Sequence, residues 1–116
     1  MEVKQFEVVL CKFYFSDLNC SKNRPVLVLK DNLPYDDFVA IPISSKIVNL
    51  YEDEILLENR DFQYGGIPKK SKLMLRKTFV VSKEVVLKKY GTIKEESYNK
   101  YHNLFCEYFN CFKGIK

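Results

Sequence analysis

The chain has 116 residues, 47% of them hydrophobic, 15% aromatic and 29% charged. That length and composition suit a single folded domain spanning 1–116 with one modest core, and exclude a disordered or fibrous chain. The net charge of +4 favours contact with polyanions without identifying one.

Residues Phe6 to Phe15 predict a first strand, because Val8, Leu10, Lys12 and Tyr14 alternate with Val9, Cys11, Phe13 and Phe15. Ser16 to Asn23 is polar and rich in turn formers, which predicts a loop. Arg24 to Leu29 reads as a second strand, with Pro25 restricted to its beginning or to an edge because proline has no N–H for the ladder. After a turn at Asp31 to Asp37, Phe38 to Ile43 is a third strand, apolar enough to be covered on both faces.

Lys46 to Asp53 reads as loop and Glu54 to Leu57 as a short strand. Asn59 to Ser71, with Gly65-Gly66 and Pro68 among charges, reads as a long loop. Leu73-Met74-Leu75 and Thr78 to Val81 are two short strand-like pieces. Ser82 looks like the N-cap of one short turn containing Val85-Val86-Leu87, broken by Gly91. The clearest helix comes last: Tyr98, Tyr101, Leu104, Phe105, Tyr108, Phe109 and Phe112 recur every three or four residues. Glu95 and Glu96 suit its start, Lys113 its end, and Gly114 its stop. Five or six strands followed by one amphipathic helix predict a small curled β-barrel with a helix packed on it.

Cysteines stand at 11, 20, 106 and 111 with no Cys-x-x-Cys spacing, and no signal-peptide pattern opens the chain. Reduced thiols and a cytoplasmic location are the expectation. His102 and Cys106 are four residues apart on the helix, but two ligands make no structural metal site. No apolar run reaches the ~20 residues needed to span a bilayer, so no membrane is expected as a partner.

The chemistry-bearing pattern is Lys22-Asn23-Arg24-Pro25 at the start of the second strand and Ile43-Ser44-Ser45-Lys46 at the end of the third. If these strands are neighbours, a permanently charged guanidinium and two hydroxyls share one end of the sheet, where they suit a phosphate. The plainer reading makes Arg24 a strand-end cation paired with Asp17 or Asp31, and Ser44 a turn cap. Ser44 and Ser45 are alternative bearers of the hydroxyl, because a slip of one residue exchanges their faces. Lys69, Lys70, Lys72, Arg76 and Lys77, with Tyr64 nearby, form a second basic cluster that reads equally as an RNA track and as a solvated loop.

In this order and spacing, the chain resembles the MazF/PemK family of toxin endoribonucleases. The matching segments are Glu7 to Leu10 with Phe13 to Leu18, then Lys22 to Leu29, Ala40 to Lys46, Gly65 to Lys69 with Ser71 to Leu75, and Thr78 to Lys83. The family's first strand usually opens with Gly-Asp, where this chain has Phe6-Glu7. The resemblance implies a mainly β, SH3-like barrel with a C-terminal helix, working as a homodimer. It implies metal-independent, cofactor-free cleavage of single-stranded RNA through attack of the 2′-hydroxyl on the phosphate. A cognate antitoxin with an acidic flexible tail is the implied inhibitor. Carried over by position, Arg24 and Ser44 are the catalytic candidates, with Ser45 as the substitute hydroxyl. Lys22, Asn23, Lys46, Lys69, Lys70, Arg76 and Lys77 are the RNA-binding candidates. Two alternatives share the barrel: a poison that binds a protein target, as the gyrase inhibitor CcdB does, and a lapsed enzyme that only binds RNA or antitoxin.

Overall fold

The computed structural model describes residues 2–14 and 21–111, with Tyr14 described by its backbone alone. Among the described residues, eight strands form one curled sheet: β1 (Glu7–Tyr14), β2 (Ser21–Lys30), β3 (Asp37–Ser44), β4 (Glu54–Leu57), β5 (Phe62–Gly65), β6 (Ser71–Met74), β7 (Phe79–Ser82) and β8 (Val86–Ile93). They run in the order β4-β6-β3-β2-β1-β8-β5, with β7 also paired to β3, and one helix, α1 (Glu95–Phe109), follows. The expected mainly β architecture with a terminal helix is the observed one.

The three central strands are apolar on both faces because both faces are covered. Val8, Leu27, Ile41 and Ile43 join Leu57, Leu73, Leu75 and Ile93 in one core, closed by Tyr98 and Tyr101 of the helix. Val9, Cys11, Val26, Val28, Phe38 and Ala40 alternate with them and form a second core, against which Phe79, Val81 and Val86 pack. A flat sheet would leave the second face wet. Bulges between Val8 and Val9, Leu10 and Cys11, and Val28 and Lys30 bend the ladders and let the sheet curl. Strand β3 changes partner along one edge: Asp37 to Ala40 pair with β7, and Ile43 and Ser44 with β6.

Four expectations change. Ser21 to Asn23 are not loop but the start of β2, paired with Tyr14, Phe13 and Lys12 of β1. Pro25 therefore lies inside a strand, yet it sits one residue before the β3 ladder begins at Val26, so the side lacking its N–H has no strand to serve. The long loop from Asn59 holds a 3-10 turn (Asn59–Asp61) and the strand β5. Ser82 does accept the Glu84 N–H at 3.1 Å and caps a 3-10 turn (Lys83–Val85), but the chain then runs on as strand β8. Gly91 does not break that strand. It lies opposite Gly65 of β5, and a Cβ on it would meet the Tyr64 carbonyl at 2.2 Å.

Phe6 stands where the resembled family usually has glycine, and it takes a left-handed φ of 79°. That conformation costs a side-chain-bearing residue about 1–2 kcal/mol. The Phe6 ring offsets the cost by packing on Tyr98, with centroids 4.3 Å apart. Helix α1 ends earlier than expected: Asn110 turns left-handed (φ 57°), with Asn110 N–H donating to Glu107 and Cys111 N–H to Cys106. Phe112, Lys113 and Gly114, like Ser16 to Cys20 of the expected loop, lie outside the described residues. No described helix is long and apolar enough to cross a membrane.

Candidate nucleic-acid site

The β2–β3 register places the strand-end residues together. Val26 lies opposite Pro42 and Val28 opposite Ala40, so the same register continued two residues brings Arg24 across from Ser44. The ladder stops at Val26, and a groove of about 410 Å³ opens beyond it. Arg24, Pro25, Ile43 and Ser44 line it, together with the exposed Lys22, Asn23, Ser45 and Lys46.

Ile67, Pro68 and Lys69 complete the lining from the β5–β6 connection, which is held by a glycine-dependent approach of two strands. Gly65, at φ +71°, lies so close to β8 that a Cβ would meet the Tyr90 carbonyl at 2.1 Å. That same carbonyl accepts the Gly66 N–H at 3.2 Å. The Ile67 N–H donates to Asn59 Oδ1 at 2.8 Å, which ties this segment to the turn that precedes β5. The buried Ser71 hydroxyl donates to the Lys69 carbonyl at 2.9 Å and fixes that turn. Ser71 is therefore a brace for Lys69 rather than a free donor.

Lys22, Arg24, Lys46 and Lys69 line the groove with no carboxylate beside them. None of the four enters an ion pair among the described residues. The surface pairing proposed for Arg24 with Asp31 is not formed; Asp31 instead accepts the Gln5 N–H, and Asp17 is outside the described residues. Uncompensated cations around a concave surface concentrate positive potential, the electrostatics a phosphodiester needs. The half-buried Ser44 accepts the Lys46 N–H on Oγ at 3.1 Å, which leaves its O–H to donate into the groove. Ser45 is exposed and also lines the groove.

The second basic cluster does not stay together. Lys69 alone of it reaches the groove. Lys70 faces Glu58 at 3.6 Å, and Arg76 faces the buried Asp53 at 3.4 Å in a separate hollow with Tyr51 and Tyr108. Lys77 and Tyr64 are exposed and line no part of the groove. Lys72 fits neither reading of the cluster. It is buried, with Nζ 2.8 Å from Glu54 Oε1 and 3.1 Å from the Asn49 carbonyl. Burial pushes the Glu54 carboxyl up, but hydrogen bonds from Lys72 and the Tyr51 N–H, with the Lys72 charge, hold it below its ordinary value. On the helix, the His102 ring lies 6.1 Å from that of Tyr98 in a stacked arrangement and does not line the groove.

Sequence reasoning missed Tyr90. Its half-buried ring completes the groove from β8, and Lys88 Nζ lies 5.1 Å from the ring centroid. The signal was the Gly91 beside it, which reads as a break but marks a close strand approach.

A sequence model of the PemK-like, MazF-like toxins of type II toxin–antitoxin systems matches residues 4–109. A search of curated protein sequences found no match. Solved structures with the same fold include an endoribonuclease in complex with its cognate antitoxin from a mycobacterial species, with TM-score 0.72, 12% identity and coverage of 94% of this chain and 96% of that one. The Mycobacterium tuberculosis toxin MazF-mt6 superposes at TM-score 0.64 with 14% identity, covering 88% and 96%. An endoribonuclease from a mycobacterial species gives 0.69 and 13%, covering 93% and 91%. The glycine-braced groove thus sits in a fold shared with these proteins, and by its match over 4–109 the chain belongs to the PemK-like, MazF-like family of type II toxin–antitoxin toxins.

Proposed function

We propose that the chain is an endoribonuclease that cleaves single-stranded RNA by directing a 2′-hydroxyl onto the adjacent phosphate. The observation that carries the reading is the convergence on one groove of Arg24, Ser44 and three lysines that form no ion pair among the described residues. Family membership and the endoribonuclease relatives support it. The bound phosphodiester lies with its non-bridging oxygens against the Arg24 fork, which neutralises the charge that builds as the 2′-oxygen bonds to phosphorus; the bond from phosphorus to the 5′-oxygen then breaks, the 2′-hydroxyl proton passing to water and the 5′-oxygen leaving with a proton from water. Ser44 donates a hydrogen bond to the phosphate or to the attacking hydroxyl and fixes the in-line geometry. Lys22, Lys46 and Lys69 hold the flanking phosphates. Charge stabilisation and positioning come from the chain's own groups, so the reaction proceeds in a chelator.

Two further elements belong to the same proposal. An antitoxin with an acidic tail inhibits by laying carboxylates on these cations; one structural relative is in complex with its cognate antitoxin. The working unit is a cytoplasmic homodimer, supported by the apolar Val80 and Leu87 that one chain leaves exposed.

The test is an oligoribonucleotide containing a mapped cut, compared with the same strand carrying 2′-deoxyribose at the cut nucleotide. The reading expects cleavage of the first to a 2′,3′-cyclic phosphate end and none of the second. Cleavage of both strands would overturn it.

A further inference from the structure

The β3–β4 connection, residues 45–53, shows water an unusual set of side chains. Val48 is 93% exposed and Tyr51 63% exposed. The connection is nevertheless tied down by the buried Lys72–Glu54 pair. Lys72 donates to the Asn49 carbonyl, Glu54 Oε1 accepts the Tyr51 N–H at 3.0 Å, and the Glu54 N–H returns to the Tyr51 carbonyl at 2.9 Å. Lys72 Nζ also lies 5.9 Å from the Tyr51 ring centroid. The ring is thus backed by a cation while most of its surface faces solvent.

Beside it lies a hollow of about 450 Å³, lined by Lys46, Val48, Asn49, Tyr51 and Lys72 among others. It shares Ser45 and Lys46 with the Arg24–Ser44 groove, so the two depressions adjoin at these residues. Past Tyr51 the next hollow carries two carboxylates, Glu52 and Asp53, against the single Arg76. A phosphate chain is welcome up to Tyr51 and repelled beyond it.

We propose that Tyr51 is the stacking platform for an unpaired base of the RNA strand, flanking the phosphate held by Arg24 and Ser44, with Lys46 on the phosphate between. This inference rests on the endoribonuclease reading and adds a base subsite to it. A fixed aromatic face with an apolar neighbour takes a base by stacking, and an adjacent cation takes the linkage. The platform limits the strand on that side to the nucleotides between Ser44 and Tyr51.

The experiment uses a short RNA taken from around a mapped cut, with 2′-deoxyribose at the cut nucleotide so that it binds without reacting. Its binding by fluorescence anisotropy is compared for the wild type, Tyr51→Ala and Tyr51→Phe, and for probes abasic at each flanking position in turn. Tyr51→Ala is expected to weaken binding about tenfold, and Tyr51→Phe to retain it. One abasic position should weaken the wild type by a like amount and erase its advantage over Tyr51→Ala. Equal binding by Tyr51→Ala, or a deficit that persists with every abasic probe, overturns the proposal. So does a Tyr51→Ala protein that changes oligomeric state, which assigns the ring to a contact between copies. A wild type that cuts no RNA sinks the endoribonuclease reading itself; a wild type that cuts, with Tyr51→Ala binding normally, sinks only this one.

Discussion

Removing Lys72 should be among the most damaging single changes outside the apolar core. Its side chain and that of Glu54 are 9% and 8% exposed, with 2.8 Å between Nζ and Oε1. At an effective dielectric of about 20 their attraction is about 6 kcal/mol, set against a desolvation cost of several kcal/mol for each ion. The net worth of the pair is therefore small, but breaking it is not, because Glu54 remains buried and charged. Lys72→Met is expected to cost about 3 kcal/mol, a large part of the ~5–15 kcal/mol that holds a small domain together. In urea, with a slope of about 1.5–3 kcal/mol/M, the unfolding midpoint should fall by about 1–2 M. Adding Glu54→Gln removes the stranded charge and keeps an acceptor for the Tyr51 N–H, so the double variant should recover more than half of the loss.

The pH dependence follows from the sign of the Glu54 shift. Its carboxyl is held below the ordinary 4.5 in the folded wild type, so its contribution is complete above that value and is lost as pH falls through the folded pKa. In Lys72→Met the cation is gone and burial raises the carboxyl, so acid should relieve the variant. The gap between wild type and variant should narrow from pH 7 to pH 4. A deficit under about 1 kcal/mol at pH 7, or a gap that stays constant with pH, refutes the reasoning.

The other expectations concern the groove and the thiols. Ser44→Ala should lower RNA cleavage about 10²-fold while Ser45→Ala stays within a few-fold, because Ser44 is the half-buried hydroxyl fixed by the Lys46 N–H; initial rates on one oligonucleotide distinguish them. Gly91→Ala should destabilise by about 2 kcal/mol or more in urea, since its Cβ would meet backbone oxygen at 2.2 Å and the Phe62 ring at 2.9 Å. At pH 8, maleimide should label the exposed Cys111 before Cys106 or Cys11. The Cys111 hydrogen bond and burial push the Cys106 thiol up to about 11, and burial pushes Cys11 there too, which leaves little thiolate on either. Peptide mass spectrometry reads the order.

The parts of the fold legible in the sequence are those whose side chains report burial. In β1, β2 and β3 every core position is apolar, so the three strands could be read directly, and for β3 the coverage of both faces as well. Strand β8 hid because Leu87, Lys88 and Lys89 are all exposed, which erases the alternation, and because Gly91 mimics a stop while serving a close approach. The first residues of β2 are polar because they extend past the β3 ladder into the groove, so they read as loop. At the candidate site, the placement of Arg24 and Ser44 together was legible, as ends of adjacent apolar strands. The lysines were not sortable: Lys69 lines the groove, Lys70 meets Glu58 and Lys72 is buried with Glu54, a difference made by partners far along the chain.

The central claim is that Arg24 supplies the charge on which RNA cleavage depends. The most direct measurement is the cleavage rate of a long single-stranded RNA in EDTA by the wild type and by Arg24→Ala, each first shown to be folded. Defined cuts by the wild type are expected, with a rate about 10²–10³-fold lower for the variant. Equal rates for the two proteins, or wild-type activity that vanishes in EDTA and returns with magnesium, would contradict it.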